Sequence, residues 1–140
     1  MTGAAAIRAI LADDPAIVAQ VNNRIFPDYL PEDCQMPAIA LWTVTATPFD
    51  CLGGGQGMEK GRIRVESFAN TRAKADELWL LCNKALVKDI KRGEFGGVQV
   101  IALSQGTGSH HLADRPYDGT DKWMYRTIQS FDISYNLYKD

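Results

Sequence analysis

Between residues 123 and 137 one parity of the chain carries Trp123, Tyr125, Thr127, Gln129, Phe131, Ile133, Tyr135 and Leu137. Side chains of an extended chain alternate between two faces, so this run is a long strand with one mainly apolar face. A face of that size has to be covered by a second layer. The rest of the chain can therefore be searched for what covers it.

Two amphipathic stretches qualify. In the first, Thr2 stands before residues 3–12, where Ile7, Ile10 and Leu11 recur at helical spacing. Asp13-Asp14-Pro15 then starts again, with Asp14 as N-cap and Pro15 in the first helical position. Ile17, Val18 and Val21 follow on one face, and Asn22-Asn23 is a natural stop. The opening is thus a bent or broken helix. In the second, Asn70 and Thr71 can cap a long helix running to about Ile90, with Leu78, Leu81, Cys82, Ala85 and Leu86 on its apolar side. Lys74, Asp76, Glu77, Lys84 and Lys88 lie largely opposite, and Lys91-Arg92-Gly93 ends the helix. Leu78, Leu81, Cys82 and Leu86 should be buried on the sheet, near Val65 and Phe131.

The remaining strands are shorter. Ile25-Phe26-Pro27 is an extended piece, and Pro27, Pro31 and Pro37 bracket an irregular stretch. Residues 38–47 are rich in β-branched and aromatic types and read as a strand ended by Pro48. Gly53-Gly54-Gly55-Gln56-Gly57 reads as a flexible loop before a strand over 61–69, where Arg62, Arg64 and Glu66 form a wet face. A strand over 97–103 leads into a polar loop over 104–122. Residues 50–60 and 104–122 are the segments expected to be most mobile. The order of elements predicts an α+β fold: one domain over residues 1–140, a mostly antiparallel sheet with two helices packed on one face.

Composition narrows the function. Apolar residues make up 46% of the 140 and charged residues 23%, as in an ordinary globular domain. Fifteen Lys and Arg against 17 Asp and Glu leave a net charge of −2, without the basic excess of a protein that grips phosphate backbones. No apolar run is long enough to span a bilayer, so no membrane partner is expected, and the N-terminus reads as a helix start and not as a signal peptide. Cys34, Cys51 and Cys82 have no metal-ligand spacing and are expected as free thiols in a reducing compartment. His110 and His111 are adjacent, hence on opposite sides of an extended chain, and no third ligand is spaced to join them. No G-x-S-x-G elbow selects a serine nucleophile. The glycines at 53–57 lack the trailing Gly-Lys-Ser/Thr of a phosphate loop. The helix pattern turns Cys82 toward the core. The expectation is a protein that is not an enzyme, with no cofactor and no metal, whose long polar loops contact partners.

Several segments, in order, carry a likeness. They are residues 10–27, ending Arg24-Ile25-Phe26-Pro27; Leu30-Pro31 followed by Met36-Pro37-Ala38-Ile39; residues 62–69 running into Ala73-Lys74-Ala75-Asp76-Glu77-Leu78; and residues 114–126 before Phe131-Asp132-Ile133. Together they span roughly residues 7–137, and the chain resembles the tail completion protein family of long-tailed phages. The resemblance implies a subunit of a ring, typically a hexamer, on the head-proximal end of the tail tube. Such a ring stops tube growth and presents a surface to the head completion or connector protein. It implies residence in the virion neck, assembly in the host cytoplasm, and DNA only passing through the lumen. The expected partners are then further copies of the chain, the tail tube protein and the head completion protein. A mildly negative charge suits a lumen that DNA must slide through. The candidate contact residues are Met58, Glu59, Lys60, Arg62, Arg64, His110, His111, Asp114 and Arg115. Another neck or minor tail subunit is the nearest alternative. A small ligand-binding module is a more distant one, to be recognised by a concave apolar pocket.

Overall fold

The computed structural model describes residues 2–31, 34–51, 54–106, 108–114 and 123–136, without the side chains of 49–51 and 54–56. The alternating run near the C-terminus is strand β7 (Met124–Asn136), and it is the spine of the sheet. It pairs antiparallel with β3 (Gly54–Ala69), in continuous register from Met58 opposite Asn136 to Ala69 opposite Tyr125. β3 pairs with β2 (Ala38–Cys51), and the three-residue β1 (Ile25–Pro27) lies parallel to the start of β2. On its other side β7 is shared end to end by two strands. β5 (Val98–Gln105) takes the C-terminal half and β6 (His110–Asp114) the N-terminal half. β4 (Gly93–Phe95) lies outside β5, giving the order β1-β2-β3-β7-β5-β4.

The helices cover one face, as the amphipathic patterns require. α1 (Gly3–Ala12) and α2 (Pro15–Val21) are the two arms of the broken helix, and α3 (Arg72–Asn83) continues into a π-helical turn, Lys84–Lys88. Asp14 caps α2 by accepting from the Ala16 and Ile17 N–H groups, and the Thr71 hydroxyl caps α3 by accepting from Lys74. Thr2 stands at the N-cap of α1, but its hydroxyl makes no cap bond. Asn22 ends α2 at φ +53, the tolerance expected of asparagine. Between helices and sheet, Ile7, Leu11, Ile17, Val21, Leu78, Cys82 and Leu86 pack on Ile39, Ile63, Val65, Phe131, Ile133 and Tyr135, all buried. The fold is α+β, with a mostly antiparallel sheet.

Several local expectations are corrected. β2 does not stop at Pro48, and the glycine-rich segment is mostly not a loop. β2 and β3 run on as a hairpin in which Pro48 faces Glu59 and Cys51 faces Gly54. A proline without an N–H is tolerated there because, among the described residues, β2 has no outer neighbour at that point, and the register shifts between Pro48 and Asp50. The segment 104–122 is likewise not one loop: Ser104 and Gln105 belong to β5, and 110–114 form β6. Residues 52–53, 107 and 115–122 of the two expected loops lie outside the described residues. Leu81 is only half-buried, at the margin of the face that Leu78 and Cys82 define. Ile90, expected to close the long helix, stands beyond the π turn and is 91% exposed.

Strand β4 leaves too short a pattern to be recognised from sequence. Its hairpin to β5 turns on Gly96 and Gly97, both at positive φ (+58 and +78), the requirement of a tight two-residue hairpin turn. A Cβ on Gly96 would also stand 2.8 Å from the Ala5 carbonyl oxygen in α1. Glycine is therefore required twice over at this position.

Candidate functional site

The sheet face away from the helices carries most of the residues singled out from sequence. Along β3 the even positions Lys60, Arg62, Arg64, Glu66 and Phe68 share this face. Opposite them on β7 stand Ser134, Asp132, Ser130, Ile128 and Arg126. The face is drier than alternation implied: Glu66 is 9% and Phe68 6% exposed. Its charges are matched across strands. Arg62 Nε donates to Asp132 Oδ1 at 3.1 Å, and Arg126 stands 3.0 Å from Asp114 and 3.7 Å from Glu66. The Arg64 guanidinium lies 5.1 Å from the centre of the Trp42 ring, a cation–π contact. Burial pushes the Glu66 carboxyl above the usual range, Arg126 and Arg64 pull it back, and Asp114 pushes it up again. Most of these charges are thus satisfied within the subunit.

At the far end of β3, Met58 and Glu59 are half-buried and Lys60 is exposed. They face Asn136, Tyr135 and Ser134, so they are strand residues and not loop-tip residues. The Tyr135 hydroxyl donates to Glu59. Burial and that carboxylate together push the Tyr135 phenol up to about 12.

A second cluster joins β6 to α3. His111 Nδ1 lies 2.9 Å from Asp76 Oδ1, and Ser109 Oγ lies 3.2 Å from His111 Nε2. The Thr127 hydroxyl donates to the same Asp76 oxygen at 2.8 Å, and the His111 ring meets Trp79 edge-on. Arg72 closes the arrangement by donating to the Leu112 and Arg126 carbonyls and to Thr127, with its guanidinium over the Tyr125 ring. Hydroxyl, imidazole and carboxylate follow one another as in a hydrolase triad. Here, however, the Asp76 oxygen is shared among His111, Thr127 and, at 3.5 Å, the Arg72 guanidinium, whose donors also reach Thr127 and the backbone of β6 and β7. The arrangement is a clamp holding a five-residue edge strand onto α3.

Burial works against ionisation of Asp76, but the hydrogen bonds from Thr127 and His111 and the charge of Arg72 outweigh it and hold its carboxyl below the ordinary value of 3.8. The stabilisation is therefore complete above that value and is lost as pH falls through the lower, folded-state value. On acidification below about pH 4 the melting temperature of the wild type should drop more steeply than that of Asp76→Asn. Parallel slopes in thermal melts across this range would remove Asp76 from the clamp.

Of the candidate contact residues, the structure groups Met58, Lys60, Arg62, Arg64, His110 and Asp114 on the open face, and turns Glu59 and His111 to the helix side. Arg115 lies outside the described residues. Sequence reasoning missed Trp42, Arg126 and Asp132 on the open face and Arg72, Asp76 and Thr127 in the clamp. Only the strand register brings these together, and no local spacing announces it. Among the described residues, no group of three or more His, Cys, Asp and Glu side chains could hold a metal ion, and no helix is long and apolar enough to cross a membrane. A groove of about 690 Å³ between the end of α1, the π turn and β4 is open and lined about equally by charged residues, among them Asp13, Lys84 and Lys88, and by apolar ones such as Ile10, Ala85 and Phe95. It is not the apolar pocket of a small-molecule module.

Comparison with known proteins gives a consistent answer. The family model for tail completion protein gp17 matches residues 5–101. A chain in the virion of a native gene transfer agent particle shares the fold with a TM-score of 0.68 at 15% identity, over 94% of this chain and 92% of that one. The bacteriophage SPP1 gp17 protein is similar with a TM-score of 0.50 at 16% identity, over 96% of this chain and 87% of that one. No curated protein sequence matches.

Proposed function

The chain belongs to the tail completion protein gp17 family, a family of structural phage proteins and not of enzymes, and from this premise we propose that it forms a ring capping the head-proximal end of the tail tube. A structural place in the tail or neck of a phage-like particle is given by the family. The ring, the arrest of tube growth and the docking of the head completion protein are the proposal. The match of the family model over residues 5–101 carries it.

The molecule fits the role in three ways. Most charges of its open face are paired internally, and the net charge is only −2, so DNA passing through a lumen would meet no strong basic field. Among the described residues the sheet does not close on itself, which leaves edges to meet neighbours. The clamp ties β6 to α3 and so fixes the edge strand within the subunit. In this role Met58, Lys60 and His110, with the face bearing Arg62 and Arg64, supply contacts to neighbouring subunits or to the tube. Glu59, His111 and Asp114 are engaged within the subunit, and Arg115 is left as a contact candidate.

Gold-labelled protein mixed with purified tail tubes should mark one end of each tube under the electron microscope, and the tubes should stop elongating. Label along the tube wall, or at neither end, would overturn the proposal and favour another minor tail or neck role.

A further inference from the structure

Two strand edges of the sheet are exposed in an unusual way. β1 covers the outer side of β2 only at Ile39, Ala40 and Leu41, after which the Asp28 N–H donates to the Leu41 carbonyl at 2.8 Å. From Trp42 on, no strand among the described residues lies against that side. The sequence there is Trp42-Thr43-Val44-Thr45-Ala46-Thr47, all exposed, without a charge and without a proline before Pro48. Edge strands of proteins that stay single are normally very short or guarded by lysine, proline or inward charges, because unpaired N–H and C=O groups invite another strand. The one guarding feature along this stretch is a bulge between Thr43 and Thr45.

The opposite side of the sheet offers a matching edge. β4 covers β5 only up to Val100, and among the described residues no strand lies on that side of Ile101-Ala102-Leu103-Ser104-Gln105, again uncharged. At about 3.4 Å per residue the two free stretches are each roughly 17–20 Å long. β5 carries its own bulge between Val100 and Ala102, so both edges are bent near one end. We propose that neighbouring copies of this chain join by sheet continuation, the free edge of β2 in one subunit pairing with the free edge of β5 in the next.

Direction and symmetry agree with that pairing. From β2 through β3 and β7 to β5 there are three antiparallel steps, so β2 and β5 run in opposite directions. A rotation about an axis along the strands keeps those directions, and the junction is then antiparallel like its neighbours in the sheet. A closed ring larger than two needs two different surfaces in contact, and these are two different edges. Trp42, 39% exposed on the open face, would lie beside Ala102 and Ser104 of the next copy, both small and exposed. The outer edge of β6 competes poorly. It carries His110, His111 and Asp114, two of them already tied to Asp76 and Arg126.

The pairing rests on the ring proposed above, and the test separates the two. In full-length chain with Cys34→Ser and Cys51→Ser, single variants Thr45→Cys and Ser104→Cys are assembled on tail tubes and treated with a short bifunctional maleimide. Cys82 is buried, its thiol pushed up to about 12 chiefly by that burial, and stays unreactive in the folded chain. A mixture of the two variants should give cross-linked dimer, neither alone should, and the double variant should give a ladder up to the closed ring. Thr45→Lys should keep its melting temperature, because the site is exposed, yet weaken assembly at least tenfold. Cross-linking of Thr45→Cys with itself would mean a two-fold β2–β2 contact and overturn the proposal. Tube ends capped normally without any cross-link, or by Thr45→Lys at wild-type concentration, would overturn sheet continuation while leaving the cap standing. Loss of end binding by the cysteine variants and the parent chain alike would overturn both.

Discussion

Leu78→Ala should lower the free energy of unfolding by about 2–5 kcal/mol, the range for removing a large side chain from a packed core. Leu78 is fully buried and sits in α3 where the helix lies on β3 and β7, in one cluster with Val65, Cys82 and Phe131. Truncation there removes transferred apolar surface and leaves a cavity that backbones on both sides keep from collapsing. Against a typical total of about 5–15 kcal/mol, such a loss is visible as a large shift in the denaturant midpoint. Leu81→Ala provides the internal comparison. The sequence pattern ranks the two leucines alike, whereas the structure leaves Leu81 only partly buried, at the margin of the core. Its loss should be less than half that of Leu78→Ala. Equal losses would mean that the helix is rotated from the position described.

Arg72→Met should act on a different level, loosening β6 while leaving the core intact. The guanidinium donates to the carbonyls of Leu112 (3.3 Å) and Arg126 (2.9 Å) and to the Thr127 hydroxyl (3.1 Å), which ties α3 directly to the backbone of β6. Hydrogen bonds from a charged donor contribute about 1.5–3 kcal/mol where buried, and partial exposure of this side chain brings the expected total to about 2 kcal/mol. At about 1.4 kcal/mol per factor of ten, amide protection over 110–114 should fall roughly 30-fold. The amides of β3 and the facing half of β7 should change little. Arg72→Lys restores the charge but not the fork that reaches two carbonyls, so it should recover only some of the protection. Unchanged exchange in β6 would show that strand pairing with β7 alone holds it.

The elements that could be read from sequence are those where one physical requirement dominates. Pro15 after Asp14, the parity of Phe131, Ile133 and Tyr135, and Thr71 before an apolar stripe each have a single economical solution, and the structure adopts it. The hairpin past Pro48 was not legible because proline and glycine are breakers only when their backbone groups would have needed partners, and an outer edge removes that need. β4 and β6 were missed because each is too short for a periodicity. β4 left one signal in the Gly96-Gly97 pair, whereas β6 left none, since its stability comes from Arg72 and Asp76 far away in the chain. The same holds for the open face. Arg62 and Asp132 lie 70 positions apart and become partners only through the register of β3 with β7.

The unequal sharing of β7 has a mechanical consequence. Tension applied along β7 loads its twelve paired positions with β3 in shear, all at once, so that they must fail together. The same tension carried by β6 also acts in shear but falls on only five pairs, so a smaller force frees it. Under a pull along the strands the spine is therefore the last part of the sheet to part, and the short strand beside it the first.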